Sequence, residues 1–70
     1  MPLAMASVGE SSVIRKIGGK GEKRKFLEKL GFAVGGSVTV ITKTEGSMIV
    51  GIKDARVAIG KEIANKIIVG

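Results

Sequence analysis

The sequence contains no cysteine and no histidine. Without cysteine there is neither a disulfide framework nor a thiolate metal site. Small secreted domains usually need such staples, so the absence favours the cytosol. Without histidine no ordinary side chain titrates near neutral pH to act as a base, and without cysteine no thiolate attacks. Tryptophan and tyrosine are missing too, and Phe26 and Phe32 are the only aromatic residues. A groove for proline-rich peptides needs several rings, so that recognition mode is excluded. No stretch approaches the ~18 apolar residues of a membrane span. The start, Met1-Pro2-Leu3-Ala4-Met5-Ala6, lacks the basic region and the longer apolar run of a signal peptide.

What is present is short, apolar, glycine-rich and basic. Seventy residues make room for one domain, residues 1–70. Such a domain buries roughly 60% of its unfolded surface, so it holds one core and no deep cleft beside it. Hydrophobic residues make up 44% of the chain, too many for a disordered polymer. The formal charge is +6, from twelve basic and six acidic side chains. That balance points to an acidic partner: nucleic acid, an anionic membrane face or an acidic protein surface. A surplus of this kind also serves solubility alone.

Eleven glycines cut the apolar segments short, the pattern of several strands joined by tight turns. Residues 12–17 read as a first strand, ended by Gly18-Gly19. Residues 20–30 are the one good helix candidate, with Phe26, Leu27 and Leu30 on one apolar face. Lys23 lies near enough to lay its stem over the core. Gly31 is expected as a left-handed cap, with Phe32 making the hydrophobic contact of a Schellman motif. After the turn Val34-Gly35-Gly36, residues 37–44 alternate. Val38, Val40 and Thr42 share one face, and Thr39, Ile41 and Lys43 the other. Glu45-Gly46 makes a hairpin turn. Met48, Val50 and Ile52 then alternate with Ile49, Gly51 and Lys53. Asp54-Ala55 turns the chain again into residues 56–59, with Val57 and Ile59 inward. Residues 60–65 read as one helical turn and 66–69 as a closing strand.

The fold class is therefore mainly β. Five short strands are expected to curl into a small barrel, with one α-helix after the first strand and a short helical turn before the last. That final turn is a feature of SH3-like barrels, the fold expected here. An OB-like barrel is second, because its helix usually lies between the third and fourth strands.

Four stretches carry a resemblance. They are Pro2-Leu3-Ala4 with Val8-Gly9-Glu10; Lys16-Ile17-Gly18-Gly19 leading into residues 24–32; residues 34–40; and Arg56-Val57-Ala58-Ile59 with Glu62, Ala64 and Ile67-Ile68-Val69. Together, over nearly the whole chain, they resemble the FeoA family, small cytosolic components of bacterial ferrous iron uptake. Two features depart from it. Asp54 stands where family members often have a turn glycine, and aspartate tolerates the left-handed region better than most residues. The hairpin Thr44-Glu45-Gly46-Ser47 lacks the family's frequent proline. The resemblance implies an SH3-like barrel and a non-enzymatic accessory or regulatory role. The implied partner is the membrane ferrous iron transporter, FeoB, whose cytosolic part carries a GTP-binding domain. The implied location is the cytoplasm, peripheral to the inner face of the membrane through that partner. The same fold occurs as the C-terminal domain of iron-dependent repressors, so metal and DNA readings need testing on these residues.

The six carboxylates, Glu10, Glu22, Glu28, Glu45, Asp54 and Glu62, are scattered and form no obvious pair, so no catalytic residue is assigned. Iron and zinc sites prefer histidine, thiolate or clustered carboxylates, so no metal site and no cofactor are assigned either. Gly18-Gly19-Lys20-Gly21-Glu22-Lys23 lies between a strand and a helix, where phosphate loops occur. A P-loop ends in Gly-Lys-Ser/Thr, and Glu22-Lys23-Arg24 stands there instead. From Arg15 to Lys29 there are seven basic residues against Glu22 and Glu28, a net +5 of the chain's +6. Lys20, Lys23, Arg24, Lys25 and Lys29 are the expected partner-binding surface. The rival reading is a small basic RNA- or DNA-binding barrel, gripping phosphates in a salt-dependent way. Single-strand binders stack bases on exposed aromatics, and none is expected here. A third reading is a structural module that oligomerises through an exposed strand edge.

Overall fold

Period-two alternation and glycine turns together set the strands. The computed structural model describes residues 1–70. A 3-10 turn (Leu3–Met5) precedes β1 (Ser11–Ile17), α1 (Glu22–Leu30), β2 (Ser37–Lys43), β3 (Ser47–Ile52), β4 (Ala55–Gly60), α2 (Lys61–Lys66) and β5 (Ile67–Val69). The strands form one antiparallel sheet in the order β4-β3-β2-β1-β5.

The expected barrel is not closed. β4 and β5 stand at opposite ends of the strand order and share no ladder. The chain between them is α2, whose Ala64 is fully buried against the sheet and the 3-10 turn. Helix and turn fill the place where a closing ladder would run. Leu3 and Ala6 of the N-terminal segment are also fully buried. Ahead of them, the Val69 N–H donates to the Met1 carbonyl at 2.7 Å, and the Met1 ammonium donates to the Val69 carbonyl at 2.8 Å. Pro2 bridges to Ile68. The β5 edge is thus covered, whereas β4 pairs with β3 alone.

Two bulges decide which side chains reach the core. In β1 the register shifts between Ile14 and Lys16, so the buried residues Ile14 and Ile17 are three apart instead of two. In β2 it shifts between Val40 and Thr42. Val38 and Val40 are buried as expected, but Thr42 is exposed. An extra residue at a bulge flips the faces beyond it. Lys43 therefore pairs with buried Met48 and turns its Nζ to the Ala4 carbonyl, 3.1 Å away. Met48, Val50, Ile52 and Ile59 are buried as the alternation predicts, and Val57 is half-buried.

The helix begins at Glu22, two residues later than expected. Gly19 at φ +96° and Gly21 at φ +60° hold the preceding turn out of helical geometry. Its end follows the Schellman pattern: Gly31 sits at φ +110°, its N–H donates to Glu28, and the Phe32 N–H donates to Leu27. At the β3–β4 hairpin, Ile52 pairs with Ala55 across a two-residue loop. The positive φ there is +54° at Lys53, not at Asp54. A two-residue hairpin loop needs a positive φ, and the pairing of Ile52 with Ala55 places it at the first loop position. α2 spans six residues, and β5 starts at Ile67, one residue after the expected boundary.

Candidate interaction surface

The core is an apolar cluster of 15 residues with no buried polar or charged side chain. No charged side chain is buried, and the placement of the charges follows from the backbone. On α1, Leu27 is buried and Leu30 half-buried, and these two face the sheet. Lys23 lies on the same stripe, one turn before Leu27, and is exposed. Glu22, Lys25, Phe26 and Lys29 follow the i, i+3, i+4, i+7 spacing and form a second stripe, turned about a third of the way round the helix. They line a shallow depression of about 270 Å³. Arg24 and Glu28 occupy the third face, where Nε and Oε1 approach to 3.4 Å. Both side chains are at least half exposed, so the pair is worth only a few tenths of a kcal/mol.

The structure thus divides the five predicted contact residues. Lys25 and Lys29 stand together on one stripe. Arg24 is engaged with Glu28, Lys23 lies at the base of the helix, and Lys20 lies in the turn before it. All five are exposed. The side chain of Arg15, counted in the same basic run, lies beside Gly70 beyond β5.

One prominent residue of this surface departs from the sequence-based expectation. Periodicity puts Phe26 on the apolar face, but it is 56% exposed. Phe26 and Leu27 are about 100° apart on a helix, and the sheet accepts Leu27. The available signal lies in the register: Phe32, past the cap, already supplies the aromatic of the core and is fully buried. The expectation of no exposed ring is corrected accordingly.

Elsewhere the surface has little concavity. A recess of about 230 Å³ lies between the β2–β3 hairpin and α2, beside Lys43, Thr44, Ser47 and Lys61. It is below the usual range for small-molecule sites. An open shelf of about 480 Å³ lies along Ser11, Ser12 and Val13 near Val69. No three acidic residues gather where a metal ion could be held. No helix is long and apolar enough to cross a membrane.

Comparison with known proteins matches this arrangement from end to end. The FeoA domain model matches residues 1–70. A Methanocaldococcus jannaschii protein named "Putative Fe(2+) transport protein A" is 34% identical over 68 residues, covering 97% of this chain and 83% of that protein. A crystal structure of an iron uptake regulatory protein, FeoA, superposes with a TM-score of 0.92 at 26% identity, covering 99% of this chain and 93% of that one. FeoA of Stenotrophomonas maltophilia, a prokaryotic SH3-domain protein crystallised with zinc, superposes at 0.86 with 21% identity, covering all of this chain and 89% of that one. Both the open five-stranded sheet and the Schellman corner after a basic helix therefore have a setting: the fold is SH3-like, and the chain belongs to the FeoA domain family, which is associated with ferrous iron transport.

Proposed function

We propose that this protein is a non-enzymatic accessory factor of ferrous iron uptake that works in the cytosol by docking on the membrane ferrous iron transporter, FeoB. The observation that carries this reading is the set of unpaired cations on α1 and in the turn that leads into it. The fold has one salt bridge, Arg24–Glu28, which leaves Lys20, Lys23, Lys25 and Lys29 without an anionic partner. Folding does not need them, because the core is wholly apolar. A concentrated cationic surface steers encounter with an acidic one and fixes its orientation. A regulator acting by contact needs no iron ligand of its own.

The test is binding of the purified chain to the detergent-solubilised transporter of the same organism. Reversing Lys20, Lys25 and Lys29 to glutamate is expected to weaken binding roughly tenfold or more, because close interfacial charge pairs couple by about 1.5 kcal/mol or more. Circular dichroism should be unchanged. Binding that is indifferent to both the reversal and rising salt would remove α1 from the interface. Binding to RNA or DNA instead, lost as salt rises, would favour the nucleic-acid reading.

A further inference from the structure

The lysines account for steering and association rate, whereas the lifetime of a complex is set by contacts buried within it. The anchors of protein interfaces are typically aromatic residues packed at the centre of the patch, with polar and charged groups forming a rim. Seven large hydrophobic residues are exposed on this protein: Met1, Met5, Val8, Val13, Phe26, Val34 and Ile49. Phe26 is the one aromatic among them. It is also the one set in a stripe with two free lysines, Lys25 and Lys29, which share its depression with Glu22. The fold does not require it there, since Leu27 and Leu30 already fasten α1 to the sheet.

We infer that Phe26 is the anchor of the docking surface. The ring seats in an apolar recess of a protein partner, and carboxylates around that recess meet Lys25 and Lys29. This rests on the preceding reading that α1 contacts the transporter, and it adds the chemistry the transporter's cytosolic surface must present. A stacked nucleobase is the other ligand a lone ring could take. Base-stacking proteins use successive rings along a cationic groove. Here the second ring, Phe32, is fully buried, and Glu22 stands within the same depression. The protein recess is therefore the occupant that the charge and the aromatic count favour.

Ring and lysines should act on different rate constants. Rim charges govern the association rate and its salt dependence, whereas a seated anchor governs dissociation. The experiment is the surface-immobilised 70-residue chain exposed to the solubilised transporter, comparing wild type, Phe26→Ala, Phe26→Leu and the double variant Lys25→Ala/Lys29→Ala. Phe26→Ala should dissociate about 30-fold faster or more, the effect expected at a hot spot. Phe26→Leu, which keeps apolar area and a good helix former, should lose less than about tenfold. The lysine double variant should mainly slow association and flatten its salt dependence. If wild type binds and both Phe26 variants dissociate within about threefold of it, the anchor is overturned while the docking reading stands. If wild type does not bind at all, both fall. If wild type binds poly(U) and Phe26→Ala does not, the ring is a stacking platform and the inference is overturned in favour of nucleic acid.

Discussion

The two phenylalanines stand six residues apart, on either side of a helix end, and have opposite fates. Phe32 is fully buried and is the bulkiest of the fully buried side chains. Phe26 is 56% exposed. Both belong to the same local motif, an apolar helix end closed by glycine, and both suit a core by composition. What separates them is register. The Schellman turn at Gly31 reverses the chain and brings Phe32 down onto Leu27, while helix geometry leaves Phe26 about 100° away from Leu27. A residue's hydrophobicity says that burial would be favourable. Only its angular position relative to the packing face decides whether burial happens within the chain or is left to a partner.

That contrast can be broken from the buried side first. Phe32→Ala should destabilise the fold by about 3–5 kcal/mol, the range for a fully buried aromatic. Domains have about 0.05–0.15 kcal/mol of stability per residue, so this one change removes a large part of the total. Urea unfolding should show a much lower midpoint, or a chain already unfolded in water. A loss below about 1 kcal/mol would mean that the region around Phe32 is not the anchor of the core and that the contrast with Phe26 is false.

The hinge between the two rings comes next. Gly31→Ala should cost about 1–2 kcal/mol, because a Cβ is poorly tolerated in the left-handed region. The cost is conformational and not steric: a Cβ there would lie 3.5 Å from Ile52 Cγ2, an ordinary contact. The φ of +110° is what resists the change. Thermal unfolding should place this variant between Phe32→Ala and wild type. Equality with wild type would show that the helix end is held by Phe32 alone.

Much of this fold is legible in the sequence, for identifiable reasons. The meander β2–β3–β4 follows from alternation, which assigns its buried residues Val38, Val40, Met48, Val50, Ile52 and Ile59 correctly. The helix cap at Gly31 is legible because a glycine directly after an apolar periodic run is the usual left-handed terminator of a helix. The departures share one cause: a local register that only pairing settles. Thr42 and Lys43 exchange faces because of a bulge that leaves no mark in composition. Lys53 takes the left-handed position because the strand pairing, not residue preference, selects the turn. Leu3 and Ala6 are core residues in a segment too short to show a period. The barrel does not close because α2 lies between β4 and β5, and sequence gives the order of elements without their spatial neighbours. For the candidate surface, the cations of α1 are visible as a linear run. That they divide among three faces of the helix, with Phe26 between Lys25 and Lys29, requires the helix to be placed against the sheet.

The smallest expected effect is the sharpest one for the comparison. Phe26→Ala should change folding stability by no more than about 1 kcal/mol, since the ring keeps over half of its surface in water. Two small contributions oppose each other. Phe26 and Leu30 stand at i,i+4, a spacing at which an apolar pair is worth about 0.2–0.5 kcal/mol, and the substitution removes it. Alanine is the better helix former by a similar amount and restores it. The depression beside Phe26 opens to Glu22, Lys25 and Lys29 and to no core residue, so truncation leaves no internal cavity. A near-null result in chemical unfolding, set beside the large loss for Phe32→Ala, would show that one ring serves the fold and that the other is free for a partner. A loss of about 2 kcal/mol or more, the size of a core truncation, would place Phe26 in the structural account instead, and the surface on α1 would be reduced to its lysines.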